Sequence, residues 1–70
     1  MQNRLNNLFV RFKTKGFLSI EIPDLVKDAL NLVGSEKYFS INDVNYELEE
    51  LGWGIGVMDY ETYGLITALI

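Results

Sequence analysis

Between Asn3 and Lys15 the apolar residues Leu5, Leu8, Phe9 and Phe12 recur at i, i+3, i+4 and i+7, which lines one side of a helix. Gly16 is placed to end it. Steps of seven and four residues bring Arg4, Arg11 and Lys15 to nearly the same azimuth, so this first helix carries a basic ridge on its polar flank.

Phe17 to Ile22 (FLSIEI) changes period. Ser19 and Glu21 alternate with Leu18, Ile20 and Ile22, the pattern of a short half-buried strand near residues 17–22. Pro23 closes the strand and suits the first position of a second helix, where its missing N–H has no partner to lose; Asp24 follows in the dipole-favoured first turn. Leu25, Val26, Ala29, Leu30 and Val33 form the apolar face of this helix, with Asp24, Lys27, Asp28 and Asn31 outside, up to Gly34.

Ser40 to Leu51 has defined ends. Ser40 is an N-cap, Asp43 stands at the capping-box position, and Phe39 can staple onto Val44. At the far end Gly52 takes the C′ position, and Trp53 can fold back on Leu48 in a Schellman stop. The buried stripe is Ile41, Val44, Leu48 and Leu51.

Trp53 to Met58 (WGIGVM) alternates glycine with larger residues and reads as a strand or extended segment near 53–58. Asp59 then caps a fourth helix with Glu61 in its first turn. A strand over Tyr63 to Ile70, paired with 53–58, is the alternative, because Tyr63, Thr67 and the isoleucines favour strand and Gly64 weakens a helix. The expected fold is therefore a helix-dominated α+β single domain over residues 1–70, with three to four short helices and a minor β component. The element order of helix, strand, helix, helix and hairpin is similar to the winged-helix arrangement of many DNA-binding proteins, in order and not in motif.

Composition narrows the chemistry. The 70 residues include no cysteine and no histidine, which removes disulfides, thiolate zinc sites and imidazole bases or ligands. Ser19, Ser35 and Ser40 have no histidine to activate them, and a chain this short has little room for a cleft. The expectation is a non-enzyme without cofactor or metal. Gly52, Gly54 and Gly56 match neither a dinucleotide fingerprint nor a Walker loop, and Asp59 puts a carboxylate where a phosphate would sit. Apolar stretches of five residues or fewer fall far short of a membrane span, and the expected setting is cytoplasmic with no membrane contact.

Charge is unevenly distributed. Residues 1–20 carry four basic side chains and no acid, whereas residues 21–70 carry two lysines against ten acids, for a net of -4 overall. Asp43, Glu47 and Glu50 align as an acidic ridge on the third helix with Glu49 beside them, at some cost from mutual repulsion and from opposing the helix dipole. The matched spacing of Arg4, Arg11 and Lys15 suggests that these two ridges steer association, within one subunit, between copies or toward another protein. Aromatic residues crowd the second half. Tyr46, Trp53, Tyr60, Tyr63 and Ile70, with the apolar final segment, are the candidate adhesive surface.

The expected function is a non-catalytic protein–protein interaction module that self-associates, with a homodimer or another protein as partner. The alternative is a winged-helix-like nucleic-acid-binding or transcriptional accessory protein contacting phosphates through the basic first helix. It is weakened by the absence of any Arg or Lys after Lys37, which leaves the third helix and a wing without a base-reading cation.

Overall fold

A computed structural model describes the backbone of residues 2–35 and 40–70 and the side chains of residues 5–35 and 40–70. The proposed staple through Phe39 lies outside the described residues, as does the side chain of Arg4. Among the described residues four helices follow one another: α1 (Gln2–Thr14), α2 (Ile22–Val33), α3 (Ile41–Glu50) and α4 (Tyr60–Thr67). No strand occurs among the described residues, so the α+β expectation gives way to an all-helical fold. Helix α2 is central and packs against α1, α3 and α4, while α1 also packs against α4. The shortest dimension, 18 Å, is about two helix diameters, so the core is one layer of side chains between helices.

Each helical stripe delivers its middle residues to that layer. Leu8 and Phe12 from α1, Ile22, Leu25, Val26 and Ala29 from α2, Val44 and Leu48 from α3, and Ile66 from α4 are buried, joined by Val57 and Met58 from the connection before α4. The stripes fray at their ends: Leu5 is exposed, and Leu51, at the C-cap of α3, points largely into solvent.

Neither proposed strand forms, and the reasons are local. In a strand Leu18, Ile20 and Ile22 would share a buried face, but only Ile22 is buried, and Ile20 is 83% exposed. The Glu21 carboxylate accepts the Leu18 N–H at 2.8 Å, while the N–H groups of Glu21 and Ile22 donate to the Leu18 carbonyl at 2.9 and 3.2 Å. Groups that a sheet ladder would need are thereby consumed in a turn that winds into α2. The helix begins at Ile22, with Pro23 in its first turn.

In the second case Gly52, Gly54 and Gly56 adopt φ of 95°, 123° and 65°. Left-handed residues at every second position cannot hold an extended ladder, so residues 52–58 form a loop. With no partner strand at 53–58, the pairing alternative for residues 63–70 also fails, and Asp59 starts α4 by accepting the Thr62 N–H at 2.7 Å.

Two of the helix stops, those of α1 and α3, are copies of one device. At the end of α3, Gly52 N–H donates to Glu49 C=O and Trp53 N–H to Leu48 C=O, both at 3.0 Å, which is the Schellman pattern. At the end of α1, Gly16 N–H donates to Lys13 C=O and Phe17 N–H to Phe12 C=O, both at 3.1 Å. Phe17 meets Phe12 edge-on at 5.9 Å, and on its other side meets Trp53 at 6.2 Å. The ends of α1 and α3, and with them the starts of α2 and α4, are thus gathered at one pole of the molecule.

Candidate interaction surface

The packing of α1 on α4 decides where the basic ridge goes. Arg11 donates through Nε to the Thr62 hydroxyl at 2.9 Å and through its terminal nitrogens to Asp59 at 3.0 Å and Glu61 at 3.2 Å. Lys15 reaches the same Asp59 oxygen at 3.1 Å. The described part of the basic ridge is therefore satisfied within the chain, by the first turn of α4 and not by the α3 acids.

Thr62 is fully buried, and its hydroxyl accepts the Arg11 N–H, so this threonine is a paired polar group in the core. The Asp59 carboxyl is held far below the usual carboxylate range. The Thr62 N–H is the leading cause, and Thr62's side chain, Lys15 and Arg11 add to it against the opposing pull of burial.

Two further polar contacts fix the 52–58 loop. Asn45 donates through Nδ2 to the Met58 carbonyl at 2.9 Å and accepts the Met58 N–H at 2.7 Å, as a neighbouring strand would. Trp53 donates through Nε1 to Asp28 at 2.8 Å, bringing into the structure an acid that the helical wheel assigns to solvent. Neither contact is marked by the hydrophobic pattern of the sequence. Asn45 carries a weak clue, a poor helix former in the middle of a helix; Asp28 carries none, since its partner lies 25 residues away.

The residues singled out from sequence are distributed unequally. Tyr60 and Ile70 are exposed at 83% and 69% and Tyr46 at 58%, whereas Trp53 and Tyr63 are half-buried against the core. On α3, Asp43, Glu47 and Glu50 make no ion pair among the described residues, and Glu50 accepts the Tyr46 hydroxyl at 3.1 Å. That hydrogen bond, and then the charges of Glu50, Glu47 and Glu49, raise the Tyr46 pKa. No group of three or more metal-ligating side chains converges among the described residues.

The α1/α4 seam is flanked by two shallow grooves of about 360 and 370 Å³, which share Val10 and Arg11. Their ionic lining, Arg11, Lys15, Asp59 and Glu61, is already mutually paired. The larger aliphatic exposure lies elsewhere, in the two loops of the shared pole: Leu18 and Ile20 in one, Leu51 and Ile55 in the other. No described helix is long and apolar enough to cross a membrane. No family model, curated protein or solved structure matches this chain.

Proposed function

We propose that this chain is a non-catalytic interaction module that self-associates. The observation that carries the reading is the amount of large apolar surface left in water. Among the described residues nine large hydrophobic side chains are exposed, against eleven hydrophobic residues buried. Ten more pack partly buried against that core; scattered exposed leucines are ordinary, but Leu18, Ile20, Leu51 and Ile55 stand in two adjoining loops and present a surface suited to a second protein.

The polar groups support the same reading. Arg11, Lys15, Asp59 and Thr62 are bound to one another and position helices. The phosphate-binding alternative rested on the first helix, and two of its three ridge cations, Arg11 and Lys15, are drawn into these pairs. The α3 acids would repel a nucleic-acid backbone.

Sedimentation velocity across a wide range of concentrations tests the proposal. The expected result is a mass that rises from the 8.0 kDa of one chain toward a dimer and persists at high salt, as an apolar interface should. A fixed single-chain mass at the highest concentration would overturn it.

A further inference from the structure

Resting on the self-association reading, we infer that the docking surface is the pole formed by residues 16–22 and 51–58, and that its occupant is a second copy of this chain. The two loops meet through Phe17 and Trp53 at 6.2 Å, and the Lys15–Asp59 pair at 3.1 Å joins them again at their edge. Within three residues of that ring contact stand Leu18, Ile20, Leu51 and Ile55, exposed at 64%, 83%, 57% and 86%.

Area and charge both favour a like partner. These four residues, backbone included, expose on the order of 500 Å², within the roughly 300–600 Å² of the largest patch on a typical monomer, a patch that is often functional. A standard interface takes about 800 Å² from each partner and is about 65% apolar at a homodimer contact, so this patch would supply most of the apolar part and neighbouring residues at the rim the remainder. The chain is net negative, and two copies meeting on their α3 faces would oppose Asp43, Glu47, Glu49 and Glu50 to the same acids.

The pole lacks that repulsion. Residues 51–58 contain no ionisable side chain. Residues 16–22 contain only Glu21, whose carboxylate is turned to the Leu18 N–H at 2.8 Å. Asp24 and Glu50 stand outside these loops, at the rim. A two-fold axis through the pole would lay the Leu18 and Ile20 loop of one copy on the Leu51 and Ile55 loop of the other, an isologous contact in which apolar meets apolar twice. Glycines between the aliphatic residues of the second loop leave the backbones free to approach.

The test compares the full chain with the double variant Ile20→Asp, Ile55→Asp and with Val10→Asp, a change at another exposed aliphatic position, on the α1/α4 grooves. Dimer dissociation constants come from sedimentation, and far-UV circular dichroism checks that helices are retained. The pole variant should weaken association by at least about tenfold, and Val10→Asp should leave it within about twofold. If the double variant loses helix, Leu18→Ser with Ile55→Ser probes the same surface, with the same loss of association expected. A wild-type dimer that the pole changes do not weaken overturns this assignment while leaving self-association standing. A wild-type chain that stays monomeric removes both.

Discussion

Asp59 gives one carboxylate three tasks: it caps α4 through the Thr62 N–H, pairs with Arg11 and pairs with Lys15. Asp59→Ala should therefore cost more than an ordinary cap, about 2 kcal/mol or above in urea unfolding. Because its folded pKa is lowered, Asp59 contributes stability that is complete above the unfolded carboxylate value of about 3.9 and is lost as pH falls below it. The melting temperature should drop progressively as pH is lowered below about 4, and Asp59→Asn should flatten that slope. At the Trp53–Asp28 bond, Trp53→Phe keeps an aromatic side chain beside Phe17, smaller than the indole, and leaves the Asp28 carboxylate without its N–H donor. A loss of roughly 1.5 to 3 kcal/mol is expected from chemical denaturation. Single-residue roles of the local kind were legible in the sequence: Ser40 and Asp59 both cap the helices they precede. The second role of Asp59 was not, because its cationic partners lie 44 and 48 positions away and only the docking of α1 on α4 brings them together.

Among the elements, the first three helices were readable because a stripe of period 3.6 and a glycine stop agree at each of them, whereas α4 rested on its Asp59 cap alone. The Gly52 and Trp53 stop on α3 forms as its residue types dictate, with Trp53 bonded to Leu48. Alternation of period 2 misled in both places because it specifies only which side chains could share a face. A strand also needs a partner and free backbone groups; Glu21 uses up those of Leu18, and left-handed glycines remove the partner at 52–58. The two kinds of glycine make opposed predictions. Gly52→Ala places a side chain at φ 95° and should destabilise by about 1 to 2 kcal/mol. Gly64 lies within α4 with open space around its Cβ position, so Gly64→Ala should stabilise by up to about 1 kcal/mol. Thermal melts of the two variants against the parent chain read both signs.

At the scale of the whole molecule, the two charged ridges part company. The described basic side chains Arg11 and Lys15 turn inward to α4, while the acidic face of α3 stays in solvent, so electrostatic steering between copies is weaker than the spacing of the two ridges suggests. Association governed by the aliphatic pole should accordingly change little with ionic strength, whereas unfolding near neutral pH, where the α1/α4 ion pairs are fully formed, should depend on salt. That network also imposes an order on the birth of the protein. Arg11 is translated early and its acceptors at Asp59, Glu61 and Thr62 late, so the clasp between the first and last helices cannot shut until those residues have emerged from the ribosome. A nascent chain arrested short of Asp59 should be cut readily by protease, and one extended well past α4 should resist, making maturation a single late event instead of a stepwise one.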